Sequence, residues 1–324
     1  MSPDQAAVRA PVEWRPGRVG LNYRLGESLL FTVWRSGLTC DAHFSELSVN
    51  DPPPLPLEEA RRAAVEVCVV RSQPVSATLR RISRVDGWIR YVPHRYDRHF
   101  VELTGSFEDY LMHFSGKSRY TIRRHVRRFA EASGGTIDFR EYATARDLDA
   151  FRPLALELAA KTYQMNVLGC SLPAESDFWR RAREAAERGA VRAYLLFLAG
   201  HPVAFIYCVA VRGIVEQRFI GFDPDYREHA PGVVLLYRTL QSQFAAAQNR
   251  IYDFTEGESL QKRQFGTRQV SCADIYFFRS SPAIAAVVGL HCAMDYLSAS
   301  LGVGLEALGV KRSVKHLIRA LRRG

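Results

Sequence analysis

Residues 191–254 read VRAYLLFLAGHPVAFIYCVAVRGIVEQRFIGFDPDYREHAPGVVLLYRTLQSQFAAAQNRIYDF, and the change of period along this stretch decides the fold. Val191 to Leu198 is apolar and β-prone, Ala199-Gly200-His201-Pro202 is a turn, and Val203 to Val211 is a nearly continuous apolar run. The two segments therefore form a hairpin with a buried second strand. Arg212-Gly213 marks another turn, and Ile214 to Phe222 is a third strand. On it Val215, Gln217, Phe219 and Gly221 share one face, and Glu216, Arg218, Ile220 and Phe222 share the other. The polar segment Asp223 to Ala230 leads into Pro231-Gly232 and an amphipathic helix through about Asn249, with Val234, Leu235, Tyr237, Leu240 and Phe244 facing the core. Ile251 to Phe254 is a short strand, followed by a polar loop from Thr255 to Gly266.

A helix joining two strands that lie parallel by a right-handed crossover is compatible with a mononucleotide-binding unit. Its ligand position is the start of the helix, where exposed N–H groups and the helix dipole favour an anion. Pro231 loses no helical hydrogen bond in the first turn, and Gly232 lets a phosphate approach the backbone. A lone Pro-Gly pair also fits an ordinary helix start.

Working outward, Ser176 to Arg188 is helical and stops at Gly189, and another helix opens at Thr144, with Asp147 closing a capping box and Pro153 kinking or restarting the helix. From Phe107 to Glu131 the pattern is helical, with Ile122, Val126 and Phe129 as an apolar stripe and Lys117, Arg119, Arg123, Arg124, Arg127 and Arg128 on the other faces. The first hundred residues are sparser in signal. Leu57 to Cys68 reads as a short helix, and Trp88 to Val92 and Phe100 to Leu103 as strands. The expected organisation is a smaller N-terminal α+β lobe over 1–106, an α/β domain over 107–280 and a basic helical segment over 281–324.

The chain has 324 residues, 47% of them hydrophobic and 24% charged, which is the composition of a folded globular protein. Its N-terminus lacks the apolar core of a secretory signal, so a cytoplasmic location is expected. Six scattered cysteines and nine histidines offer no metal-ligand spacing, and no metal is expected. There is no GxSxG elbow and no GxGxxG fingerprint. The formal net charge of +10 favours anionic partners. The apolar run Pro282 to Val310 is broken by His291, Asp295 and Glu306 and reads as core-facing helices rather than a membrane span. The tail Val310 to Arg323 is amphipathic and basic, so it can dock on the core or on an anionic membrane surface.

The order Phe178-Trp179, Gly189, Gly200-His201-Pro202-Val203-Ala204, Ile220-Gly221-Phe222-Asp223, Pro231-Gly232, Tyr252-Asp253-Phe254, Gly257, Lys262 and Phe265-Gly266 resembles a GNAT-type acetyltransferase domain. The particular domain resembled is found in proteins of bacterial exopolysaccharide and cellulose synthesis and is related to the Fem-type aminoacyltransferases. Ser118-Arg119-Tyr120-Thr121-Ile122-Arg123-Arg124 is similar to the basic helix that precedes it. The resemblance covers roughly residues 107 to 279. It implies a GNAT-like α/β fold with a mixed central sheet, and acetyl-CoA or another acyl-CoA as co-substrate. The acceptor would be an amine or hydroxyl of a small molecule or glycan precursor.

Direct attack on a thioester needs a base and an acid for the leaving thiolate. The resemblance points to Glu216 as the base, with Asp253 or Glu256 orienting the acceptor; Tyr252 and Tyr276 are candidate acids by residue type. Phe222, Pro231, Gly232, Val233 and Lys262 would bind the donor, and Arg124 a polyanionic substrate. The segment Arg227 to Gly232 departs from the GNAT pyrophosphate loop in having one glycine. That departure keeps two alternatives open: an aminoacyl-tRNA donor, as in the Fem-type branch, and a non-catalytic membrane-surface adaptor on the same fold.

Overall fold

Two tight turns organise the hairpins expected from the sequence. Ala199 and Gly200 at one, and Arg212 and Gly213 at the next, all take positive φ, as two-residue hairpin loops require. The computed structural model describes residues 12–25, 28–165, 172–257 and 259–307. In chain order the elements are β1 (Trp14–Leu25), β2 (Ser28–Cys40), α1 (Leu57–Arg62), β3 (Val67–Pro74), β4 (Ile82–Val85), β5 (Trp88–Tyr91), β6 (Arg95–Glu102), α2 (Phe107–Met112), α3 (Gly116–Ala132), β7 (Asp138–Tyr142), α4 (Ala145–Met165), α5 (Ser176–Glu187), β8 (Val191–Leu198), β9 (His201–Val211), β10 (Ile214–Phe222), α6 (Pro231–Ala246), β11 (Ile251–Asp253), α7 (Leu260–Phe265), β12 (Arg268–Arg279) and α8 (Pro282–Ala307).

They divide into two compact units, Met1–Tyr96 with Ser271–Gly324, and Asp97–Val270. The division differs from the expected 1–106, 107–280 and 281–324. Most of β6 falls in the second unit because it pairs with β11. The chain from Ser271 onward falls in the first unit because β12 pairs with β3 and β5 and α8 lies against β1. The tail from Val310 to Arg323 lies outside the described residues.

In the second unit the strand order is β6-β11-β10-β9-β8-β7, with β10 and β11 parallel and the remaining pairs antiparallel. Apolar side chains on one face pack with α2, α3 and α6 around Ile122, Phe129, Leu235 and Tyr252. The other face packs with α4 and α5 around Phe151, Leu158 and Trp179. A sheet covered on both faces explains why β8 and β9 read as near-continuous apolar runs. The helix expected over 107–131 is two helices, because the Ser115 side chain caps a fresh start at Gly116. Asp147 and Thr144 form the expected reciprocal cap, but α4 runs through Pro153 as one element. The expected helix over Leu57 to Cys68 stops at Arg62, and Cys68 belongs to β3.

In the first unit β1 and β2 form a long antiparallel hairpin, a feature the sequence reading did not find. The sheet continues β3, β12, β5 and β4. Among the described residues no helix is long and apolar enough to cross a membrane. Among the described side chains of α8, those of Ile284, Val288 and His291 are buried against the core.

His291 fastens α8 to the strands. Its Nε2 lies 3.0 Å from the Asn22 carbonyl oxygen and its Nδ1 2.6 Å from the Tyr91 hydroxyl. The neutral ring suits both contacts, with Nε2–H donating to the carbonyl and Nδ1 accepting from the tyrosine. Burial pushes its pKa below the ordinary 6.5; Asp295 opposes that shift and His94 and Arg81 add to it. Below pH 6.5 the unfolded chain therefore takes up a proton that the folded ring resists. The associated stability is present above pH 6.5 and declines as the pH falls, by at most about 1.4 kcal/mol per pH unit. Urea midpoints measured between neutral and mildly acidic pH should show this slope, and His291→Gln should flatten it. An unchanged slope in the variant would refute the assignment.

Candidate functional site

The site is built around β10, which has two different edges. Against β9 it pairs along its length, with an irregularity between Gln217 and Phe219. Against β11 it pairs only at Ile214, Val215 and Glu216, since β11 ends at Asp253. Past Glu216 the register of the two parallel strands ends, which leaves an opening in the ladder along the β11 side of Gln217 to Phe222. The irregularity also overturns the strict alternation expected for this strand. The extra residue shifts the phase, so Ile220 and Phe222 join Val215 on the side packed against α6, and Phe219 faces α4 and α5. Gly221 allows α4 to approach, because a Cβ there would lie 2.4 Å from the Phe205 ring and 2.9 Å from Thr162 Oγ1.

Glu216 and Asp253 are register partners on neighbouring strands, so their side chains share a face. Asp253 is fully buried and its carboxylate binds the Arg98 guanidinium, itself 9% exposed. Arg98 Nη2 lies 3.8 Å from Glu216 Oε1, and Arg218 pairs with the other Glu216 oxygen. Glu216 is 20% exposed, so of the two carboxylates it is the one open to solvent. The Asp253 Oδ1 also accepts the Thr255 N–H at 2.9 Å. Thr255 holds a φ of 62°, an outlier for a β-branched residue that costs on the order of 1–3 kcal/mol. Its hydroxyl lies 3.3 Å from the Gln217 carbonyl, which fixes the base of the opening.

At the far end of β10 the chain passes through a 3₁₀ turn, Pro224–His229, capped by the buried Asp223. Lys161 of α4 donates to Asp223 at 2.6 Å, which anchors that turn. Ala230 then adopts the left-handed conformation with φ 49° and ψ 48°, and α6 begins at Pro231 with no side chain capping it. Pro231 has no N–H and the Val233 N–H donates to the Ala230 carbonyl at 3.0 Å, so the Gly232 N–H is the donor that an anion at this helix start would meet. A Cβ on Gly232 would meet only Phe222 at 3.7 Å and Gln261 at 3.9 Å, ordinary contacts, so the helix mouth has room. Gln261 of α7, a helix within the segment expected to be loop, donates to the Gly232 carbonyl at 3.2 Å.

The expected residues thus fall into separate groups. Glu216 and Asp253 come together with Arg98, while Phe222, Pro231, Gly232 and Val233 gather at the helix mouth. Lys262 donates to the Thr255 and Glu256 carbonyls at 3.3 and 2.6 Å and so ties down the loop after β11. Glu256 itself is exposed. Tyr252 is buried on the opposite face from Asp253, its hydroxyl donating to Gln217 at 2.9 Å, and burial raises its pKa well above the ordinary range. Tyr276 belongs to the first unit, within 3.3 Å of Arg71. Arg124 lies on α3, in a shallow furrow with Arg119, Tyr120, Arg123 and Arg127. Sequence reasoning missed Arg98, which stands 155 positions from Asp253 in a strand with no motif, and Thr255, whose role comes from a backbone angle.

Residues 116–263 match the family model of the acetyltransferase (GNAT) domain. The match holds β10, the α6 mouth and β11, and stops short of Arg98. With its mixed sheet between two helical layers, the second unit has a GNAT-like fold. A comparison with curated proteins returned no match. Among solved structures, FemX is similar with 9% identity over 85% of this chain and 90% of its own, at a TM-score of 0.52. The C-terminal domain of a putative lysylphosphatidylglycerol synthetase from Agrobacterium fabrum is similar with 12% identity over 81% of this chain and 84% of its own, at a TM-score of 0.50. At such identities the likeness is one of fold.

Proposed function

We propose that the protein is an acyltransferase that moves an acyl group, acetyl in the simplest case, from acyl-CoA to an amine or hydroxyl of a small molecule or cell-surface polysaccharide precursor. The observation that carries this reading is the end of the β10–β11 register just beyond Glu216, with the uncapped start of α6 past the far end of β10. From Glu216 to Phe222 the strand spans roughly 20 Å, a distance that suits an extended donor with an anionic end. Phosphates of the donor fit the α6 mouth, where Gly232 leaves space. Bound there, acyl-CoA supplies an electrophilic thioester carbonyl and a thiolate leaving group. Glu216 takes the proton from the attacking acceptor as the new C–N or C–O bond forms and the C–S bond breaks. Arg98 and Arg218 hold that carboxylate in place.

Calorimetric titration with acetyl-CoA and with free CoA tests the donor site. Saturable binding is expected in the wild type and in Gly232→Ala, and loss in Gly232→Trp, whose ring would fill the mouth. Equal binding by Gly232→Trp would remove the site from α6. One observation favours a second reading, an aminoacyl-tRNA donor: the α3 furrow sets four arginines around Tyr120, which is 63% exposed, and arginines beside an aromatic suit nucleotide phosphates and bases. Silence with both CoA ligands, together with RNA binding whose salt slope is about −0.7 per phosphate contacted, would select that reading.

A further inference from the structure

We infer that the furrow along α3 is a binding site for a phosphorylated nucleoside, with its arginines on the phosphates and Tyr120 against the base. The furrow is lined by Gly116, Arg119, Tyr120, Arg123, Arg124 and Arg127 and has a volume of about 310 Å³, at the small end of the range for ligand pockets. Residues three, four and seven apart share a side of a helix, which sets Tyr120, Arg123, Arg124 and Arg127 together. Tyr120 is 63% exposed, so its ring is open to a ligand. Gly116 is the first residue of α3, and a Cβ there would meet nothing within 4 Å, so that end of the furrow is open.

The positive charge of this face is largely uncompensated. From Gly116 to Ala130 the helix contains no acidic residue. Arg119, Arg123 and Arg127 follow one another at i, i+4, as do Arg124 and Arg128, and like charges at that spacing destabilise a helix. Glu108 reaches Arg123 at 2.6 Å and Glu131 lies 3.8 Å from Arg127, but both pairs are solvated and therefore weak. Arg119 turns to the Phe114 carbonyl at 3.4 Å, and among the described residues Arg124 has no carboxylate within 4 Å. Burial, and after it the charges of Arg124 and Arg128, hold the pKa of His125 below the ordinary 6.5. A bound anion would relieve this repulsion and so stabilise the fold.

Charge complementarity selects a phosphate, because adjacent guanidiniums fork onto several oxygens of one phosphoryl group. The ring selects a nucleoside: an exposed aromatic among arginines is a stacking platform for a base, and a bare polyanion would leave it unused. Helix α3 packs against α6 and against the 3₁₀ turn Pro224–His229 that leads into the α6 mouth, so furrow and mouth belong to one helical layer of the second unit. Two sources carry the required group, coenzyme A through its phosphorylated adenosine and RNA through its own nucleotides. The site stands on α3 alone, whereas its assignment to coenzyme A rests on the acyl-CoA reading above.

Calorimetric titration of the full chain with adenosine 3′,5′-bisphosphate and with inorganic pyrophosphate tests the site. The wild type should bind both, more weakly as salt rises, and the bisphosphate should raise its melting temperature. Arg124→Glu should weaken both ligands by about tenfold or more. Tyr120→Ala should weaken the bisphosphate by about fivefold or more, the loss of one base–aromatic stack, and leave pyrophosphate unchanged. Gly116→Glu puts a carboxylate at the open end of the furrow, where the first helical turn favours an acid. It should therefore weaken both ligands without lowering the melting temperature of the free protein, which separates lost binding from lost folding. No binding by the wild type, or α3 variants that bind as tightly as it does, would overturn the proposal. Bisphosphate binding lost only in Gly232→Trp would also overturn it and place the nucleotide at the α6 mouth. With the site upheld, coenzyme A weakened by Gly116→Glu assigns it to the donor; a single-stranded RNA oligonucleotide weakened in the same way, with coenzyme A silent, assigns it to RNA and sinks the acyl-CoA reading alone.

Discussion

Glu216→Gln is expected to lower kcat for acyl transfer by roughly 10²–10⁴-fold, the range for losing a positioned general base, while donor affinity in the calorimeter stays at the wild-type value. The split follows from where the groups lie. Glu216 is the last β10 residue in register with β11, and the proposed phosphate contacts are at the other end of the strand. Its partner Asp253 is the weaker candidate for the base, because its fully buried carboxylate is held by Arg98 and by the Thr255 N–H. Glutamine keeps the shape and removes the proton acceptor, so a loss confined to kcat identifies the base. Arg218→Ala, which frees one side of the Glu216 carboxylate, should cost less. CoA release with an acceptor found by amine and sugar screening provides the assay. A Glu216→Gln enzyme within about threefold of wild type would refute the role.

Arg98→Met is expected to destabilise the protein by about 3–5 kcal/mol, the cost of leaving one charge of a buried pair in the interior. The Arg98–Asp253 pair is a case where removing one partner is worse than removing both. Replacing both by apolar residues, Arg98→Met with Asp253→Leu, should recover most of the loss, because the desolvation penalty disappears with the charges. Urea unfolding of the two single variants, the double variant and the wild type measures the coupling directly. A single-variant loss below about 1 kcal/mol would mean that the pair is effectively solvated. The same cycle separates stability from catalysis: the double variant should fold and still turn over poorly, since Glu216 loses the guanidinium that sits 3.8 Å away.

What the sequence determined by itself was the local order of elements. The periods of 2 and 3.6, the Gly-bearing turns at Gly200 and Gly213 and the proline at Pro231 are read by the backbone within a few residues, and the strands, hairpins and helix from Val191 to Asp253 follow from them. The reciprocal cap of Thr144 and Asp147 is local in the same way. The tertiary structure alone decided which distant groups meet. Arg98 reaches Asp253 only because β6 and β11 share a register, and no spacing encodes a pairing across 155 positions. Tyr252 and Asp253 are adjacent in sequence yet lie on opposite faces, one in the core and the other beside Glu216, because strand direction sends successive side chains apart. One inserted residue near Arg218 reversed the faces of Ile220 and Phe222, and the turn of the chain after β11 brought the Lys262 ammonium back to the Thr255 and Glu256 carbonyls. Local preference specifies each segment. Register, bulges and burial, which depend on every neighbouring strand at once, specify the site.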